Sequence, residues 1–438
     1  MRHALRWSTL VGLIAVCALL VQMPRRSAAE PPSAEVVAEL VAQLDAPQKA
    51  VRDDAEKKLI ALGPAVVDRL PQLGPDASAE VETRLSRVRM AHYRARAEAS
   101  VSATTVTLAV KDAPLENVLA DIEKQTKNHL VDFRERFGQE AKPITITLDA
   151  GKQPFWKTID ALTAQAGMEV YHFSGEDGLA FVAAPHAAAP AKDSVVKAVS
   201  YSDAFRIEAK RVTAIRSPAP AEPGELRVEL EVAWEPRLKP LFLTSRMSKV
   251  EARDDQGATI EPGNAELAAE IPPQGKSCRA EVVLPFIAPP RASQSIKTLK
   301  GTFEVLIPAE HHTFRFAKLD DSGKQEQKAA AVTVSIEEPR KNGDLVQIAL
   351  TLKYDNPANA LESHRAWFYK NPCYLLAADG TQTPPGTIEL TRQSDDSLSL
   401  NLLFAPEEDW SKQTLIYQAP ADIVSLPVTY QFSDLPLP

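Results

Sequence analysis

The sequence predicts a multidomain α+β chain: helical-repeat hairpins, a small α/β domain made from a duplicated βαβ unit, then two tandem β-sandwiches. Three observations carry this. Apolar residues recur at three- and four-residue spacing from Val36 to Val88. A strand–helix–strand pattern occurs twice between Val106 and Val182. Alternating apolar positions in the C-terminal half then repeat at fixed separations. The expected divisions are 1–29 for a signal peptide, 30–100 for the helical segment and 101–185 for the α/β domain. A linker at 186–194 and β copies at 195–320 and 321–438 complete the chain.

Arg2 and Arg6 form a basic start, Thr9 to Met23 an apolar core, and Ser27-Ala28-Ala29 the small residues that a signal peptidase needs. The apolar run is about 15 residues, short of the ~20 that a membrane span requires, so cleavage before Glu30 and no stable span thereafter are expected. Val16 before Cys17 is too bulky for a lipoprotein signal. Net charge is −8 for the chain and −12 once Arg2, Arg6, Arg25 and Arg26 are removed, which disfavours nucleic acid and anionic membrane as main partners; no nucleic acid partner is expected.

From Glu30, Val36, Val37, Leu40 and Leu44 and then Val51, Ala55, Leu59 and Leu62 mark two helix faces. Asp45-Ala46-Pro47-Gln48 has the form of a capping box, and Gly63-Pro64 ends one helix and begins the next. The phrase VRDDAEKKLIALGPAVVDRL resembles a HEAT-type helical repeat, with Val81, Leu85 and Val88 opening a second, degenerate unit. So short an array is expected to lean on the next domain, because such repeats bury their faces by stacking. Arg84, Arg87, Arg89, Arg94 and Arg96 crowd its last helix and read as a solvated face, or else as a contact for an acidic partner.

In the α/β domain, Val106, Leu108 and Val110 alternate as a strand; Pro114 opens a helix carrying Leu115, Val118, Leu119 and Ile122; Leu130, Val131 and Phe133 return. Forty residues on, Pro154, Phe155, Ile159 and Leu162 repeat Pro114, Leu115, Leu119 and Ile122, with Gly167 as the C-terminal cap, Val170, Tyr171 and Phe173 as the final rise and Leu179 to Val182 as the closing strand. VTLAVKDAPLENVLADI and ITITLDAGKQPFWKTIDAL together resemble the short N-terminal domain of secretins and TonB-dependent receptors. That resemblance implies a periplasmic docking and signalling module and brings no catalytic residues with it. Neither a secretin core nor a membrane barrel follows.

Beyond the linker, Leu226, Val228, Leu230, Val232 and Trp234 answer Val346, Ile348, Leu350, Leu352 and Tyr354 at a separation of 120 residues. Leu299, Phe314, Phe316 and Leu319 answer Leu415, Tyr430, Phe432 and Leu435 at 116, and the turn residues Asp255 and Asp379 answer each other at 124. A one-residue slip would invert every side chain, so matches in phase imply two copies of one fold. Short strands in about 110 to 120 residues suit immunoglobulin-like sandwiches, expected to fold separately.

No catalytic, cofactor or metal motif survives. Gly275-Lys276-Ser277 lacks the upstream glycine of a phosphate loop and leads into a strand. His311-His312 splits its rings across two strand faces, and Cys278 and Cys373 have no histidine at metal-site spacing. The two thiols sit at non-equivalent places in the repeat and are expected buried and unpaired. Asp254-Asp255 and Asp395-Asp396 read as turn residues. Trp367-Phe368-Tyr369 is the aromatic cluster most able to face a ligand. If Phe368 is core, Trp367 and Tyr369 form an exposed platform for a sugar or a partner; if they are core, the cluster is packing, which the alignment of Trp367 with Leu243 favours.

The resulting expectation is an exported, non-catalytic interaction or scaffold protein of the bacterial cell envelope, periplasmic or envelope-associated, with an envelope protein as partner. The alternative is a carbohydrate-binding or wall-associated β-sandwich protein that uses Trp367 and Tyr369 on a glycan. Exported material should begin at or near Glu30. N-terminal sequencing of an envelope fraction checks this, and an intact Met1 on a membrane-embedded product contradicts it.

Overall fold

The computed structural model describes residues 33–71, 77–184, 198–216, 224–273, 276–320, 323–329, 331–355, 357, 360–362, 365–406 and 409–438. The expected leader (1–29), the linker (186–194) and Gly275 lie outside the described residues. Among the described residues no helix is long and apolar enough to cross a membrane.

Helix α1 (Ala34–Gln43) begins at Ser33, whose hydroxyl accepts from the Val36 amide. Helix α2 (Lys49–Ala61) starts after Gln48 without a side-chain cap; Asp45 instead accepts from the Ser78 hydroxyl at 2.7 Å, so the expected capping box is a tie to the next helix. Gly63 (φ 82°) turns the chain into a short 3-10 turn, Pro64–Arg69. Helix α3 (Ala79–Val101), capped by Ser78, runs for 23 residues, so Val81, Leu85 and Val88 open one long helix rather than a second hairpin. Its first half shares a core with α1 and α2, whereas Tyr93, Ala97 and Val101 bury among residues of the α/β module and of the first β copy.

The module follows as β1 (Thr105–Pro114), α4 (Leu115–Thr126), β2 (Leu130–Asp132), β3 (Thr145–Pro154), α5 (Phe155–Ala166), β4 (Met168–Tyr171) and β5 (Leu179–Ala183). Strands β1 and β3 pair antiparallel; β2 and β4 flank β5, parallel and antiparallel respectively. The duplication is structural to the last turn. Pro114 and Pro154 both stand at the N-cap, and Lys127 and Gly167 both end their helices at φ 62°, each donating its amide back into the last turn. Strand β4 stops at Tyr171, so Phe173 lies in a turn and is 71% exposed instead of extending the strand.

In the first β copy, β6 (Val199–Ser202), β7 (Phe205–Ile215), β8 (Glu225–Trp234), β9 (Phe242–Asp254), β10 (Ala268–Ile271), β11 (Arg279–Ile287) and β12 (Ser295–Phe316) succeed one another. In the second come β13 (Gln325–Ala329), β14 (Val332–Ile336), β15 (Arg340–Asn342), β16 (Leu345–Tyr354), β17 (Cys373–Leu376), β18 (Gln382–Thr383), β19 (Thr387–Gln393), β20 (Ser397–Phe404) and β21 (Thr414–Pro436). The order β11-β8-β7-β6 in one sheet is matched by β20-β16-β14-β13 in another. Even single bonds recur: the Glu235 amide donates to the Ala204 carbonyl at 3.0 Å, and the Asp355 amide to the Ala331 carbonyl at 2.9 Å.

The expectation of separately folding copies is overturned by the third sheet, β10-β9-β12-β21-β17-β18. Strands β12 and β21 pair antiparallel from Ser295↔Pro436 to Phe316↔Leu415. At 3.4 Å per residue such strands reach roughly 70 Å, against ~20 Å for an ordinary strand, so each crosses both sandwiches. Val428, Tyr430 and Phe432 therefore complete the core of the first copy, while Phe314, Phe316 and Leu319 complete that of the second. Sequence position divides the chain near residue 320; packing does not. Tyr430 lies over Gly301, its pair partner, stacked on Phe303 at 4.7 Å; a β-carbon at 301 would come within 2.4 Å of its hydroxyl.

Leu350→Ala, at a residue with no exposure in the second copy, should cost about 2 to 5 kcal/mol. Because the long strands join both cores, calorimetry should show one β transition lowered as a whole. A shift of one of two resolved transitions contradicts the exchange.

Candidate interaction surface

Among the described residues no group of three or more His, Cys, Asp and Glu side chains is arranged to hold a metal. Cys278 and Cys373 are free and buried, and burial pushes their thiols up to about 11 and about 12. Asp254, the last residue of β9, accepts from the amides of Gln256 and Ala258 and from the Ser293 hydroxyl and so ties down the turn that follows it, and Asp396, in a bend, accepts from Ser394. His312 lies 3.5 Å from Glu310 in β12, while burial, with the charges of His312 and Lys239, lowers the pKa of His311.

The arginine run of α3 is a solvated face only in part: Arg87 and Arg94 are exposed, Arg94 pairing with Glu98 one turn on, whereas Arg84 and Arg96 turn inward. Arg84 is 4% exposed and pairs with Asp53, Glu56 and Glu80 at 2.6 to 3.0 Å. Arg87 joins Glu56 and Arg89 the Pro71 carbonyl. Arg96 ties α3 to the 3-10 turn through Asp68 and to β12 through Glu310.

Trp367 and Tyr369 do not form a platform. Residues Trp367–Lys370 make a 3-10 turn, not a strand; Trp367 is buried against Tyr354 and donates its indole N–H to the Ala360 carbonyl, leaving Tyr369 alone at the surface. A 3-10 turn spaces side chains by about a third of a circle, so residues two apart do not share a face.

The module meets the first β copy through a buried polar centre. Glu235, immediately after β8, has no exposure; its carboxylate accepts from the Thr104 amide and hydroxyl at 2.8 Å, from Asn128 at 3.1 Å and from Arg237 at 2.7 Å. Arg237 also donates to the carbonyls of Ser100 and Ser102, and its own amide to Asn128. Four donors surround one carboxylate, and three parts of the chain meet there. Alongside, Trp156 of α5 donates to the Ala204 carbonyl at 3.0 Å, while the Ala204 amide donates to Val101 at the end of α3. Asp160 accepts from Arg206 and Tyr201. None of Trp156, Glu235 and Arg237 stood out in the sequence, although one signal was there: an acid ends the same strand in both copies, Glu235 and Asp355, 120 residues apart.

A second polar set lies nearby. Burial would raise the Glu231 carboxyl, yet His172, 3.5 Å away, and the charges of Lys210 and Arg279 hold it down to about 2. Arg279 also lies 5.1 Å over the Phe173 ring, whose remaining surface faces solvent. From there a row of rings crosses the outer face of the module: Tyr171 is 6.0 Å from Phe173, 4.8 Å from Phe137 and 5.8 Å from Phe133. Phe137 is 44% exposed. Phe137 and Phe173 are the exposed large apolar side chains of the module among the described residues, while Phe133 is buried beneath the row.

No protein-family model, no curated protein and no solved structure matches the chain.

Two outcomes follow from the contact. Glu235→Ala would strand Arg237, Asn128 and the Thr104 amide, and should cost about 3 to 5 kcal/mol in denaturant unfolding; a loss below 1 kcal/mol contradicts the assigned role. Glu231, depressed in the folded chain from an ordinary 4.5, contributes stability that is complete above that value and is lost as pH falls toward 2. The denaturation midpoint should drop across that window, and less in Glu231→Gln; equal slopes in both proteins contradict it.

Proposed function

We propose that this is an exported, non-catalytic interaction protein of the bacterial cell envelope, in which the α/β module docks a partner protein and the rest holds it in place. The secretin and TonB-receptor likeness of the module, the HEAT-like character of the helical segment and the immunoglobulin-like character of the β copies belong to this reading. The observation that carries it is the aromatic row whose Phe137 and Phe173 stay exposed on a module that Trp156, Glu235 and Arg206 anchor to the rest of the chain. Exposed apolar surface of this kind, next to polar rims, marks interaction sites. Strand β4 adds to it as the end strand in the order β2-β5-β4, since an end strand can extend its pairing to an incoming segment. The glycan reading rested on Trp367 beside Tyr369; with Trp367 buried, it keeps a single ring.

Deleting the module would uncover Ala204 and strand Glu235, so surface placement is the better test. A photo-crosslinking phenylalanine analogue at position 173 should yield a discrete protein adduct in envelope preparations, and the same probe at position 369 should not. Adducts from 369 alone would move the docking site to the second β copy and refute the assignment to the module.

A further inference from the structure

We infer that the aromatic row takes a lysine- or arginine-bearing peptide segment of the partner, an inference that rests on the docking reading above and names the chemistry of its ligand. Aromatic rings carry negative faces that attract cations. Both ends of the row already do so within the chain: the Arg136 guanidinium lies 5.9 Å over Phe133, and that of Arg279 lies 5.1 Å over Phe173. Arg279 is in turn neutralised by Glu231 and Glu281, at 2.9 and 2.6 Å, and Phe173 keeps most of its surface open.

The surrounding charges decide the sign of the ligand. Asp132 is paired with Arg134, Glu176 with Arg136, Glu140 with Lys142 and Asp177 with Lys239. What remains around the rings is Glu135 and Glu169, both exposed and in no ion pair or hydrogen bond with a described residue. Glu169 stands two residues before Tyr171 on β4 and hence on the same face. Glu135 sits in the turn where the Phe137 amide donates to the Phe133 carbonyl. Exposed carboxylates outside any ion pair, Glu135 meeting only the through-space charge of Arg134, favour an incoming cation with an apolar neighbour and disfavour an acidic segment. They also disfavour a second copy of this chain: a two-fold contact would set the same carboxylates against themselves.

The test uses the full chain and two capped, fluorescein-labelled peptides of equal length, one alternating lysine with leucine and one alternating glutamate with leucine, read by fluorescence anisotropy. The lysine peptide should bind, weaken with added salt, and lose about tenfold in affinity in Phe173→Ser and several-fold in the Glu135→Gln, Glu169→Gln pair, with circular dichroism unchanged. The glutamate peptide should not bind. Failure of the lysine peptide to bind, unchanged affinity in both variants, or equal binding of the glutamate peptide would overturn the inference. So would a concentration-dependent doubling of mass in light scattering that Phe173→Ser abolishes, which would assign the row to self-association. A crosslink from position 173 that survives these failures would leave the docking reading standing and remove only the charge class.

Discussion

The pairing of β12 with β21 is the constraint on which the rest of the structure depends. The register places Ile307 against Val424 and Pro308 against Ile423, while Ile307 and Ile423, and Pro308 and Val424, are repeat mates 116 residues apart. Each residue thus meets the repeat mate of its neighbour, which is the isologous contact of a two-fold dimer written into one chain. An axis through those four residues relates the two copies, and each long strand ends in the core that the other begins. Such pairing leaves little room for one copy to open alone, because unpairing either strand exposes backbone donors and apolar side chains in both cores. Helix α3 packs against these two strands and is pinned to them by Arg96 and Glu310.

The symmetry is broken where each sandwich is closed. Trp234 and Tyr354 are repeat mates at the ends of β8 and β16. In the second copy Ala360, Leu361, Trp367 and Phe368 are buried in the same core as Tyr354, and the Trp367 indole is bonded to Ala360. In the first copy the connection after Trp234 is short, and the module takes over, with Trp156 bonded to Ala204 and Glu235 gathering Thr104 and Asn128. A buried carboxylate with four charge-assisted or amide donors is costly to uncover, so the module is held as a fixed cap rather than a swinging arm. On the docking reading proposed above, Phe137, Tyr171 and Phe173 would be presented to a partner by a module already held in place.

The legible parts of the fold were those written in local periodicity. Leu226 to Trp234 and Val346 to Tyr354 alternate because both strands face a core, and Leu115 to Ile122 and Phe155 to Leu162 recur at helical spacing for the same reason. Periodicity identifies a strand face but is silent on which strand lies beside it, so the exchange of β12 and β21 was hidden even though their repeat was seen. The residue types of Trp367-Phe368-Tyr369 predict a strand, but Trp367–Lys370 form a 3-10 turn that residue type alone does not signal. Phe173 matched the alternation of β4, but Gly175 at φ 74° ends the rise two residues later, and the ring is left at the surface. Arg84 was unreadable for another reason: its partners Asp53 and Glu56 lie on a different helix, about thirty residues away.

Native-state hydrogen exchange, followed by peptide mass analysis, tests the shared ribbon most directly. If β21 completes the first core, amides of residues 424–432 should open with the same free energy and denaturant dependence as those of 226–234, although the repeat places them in the other copy. Exchange of 424–432 in step with 346–354, and at a stability distinct from that of 226–234, would contradict the account.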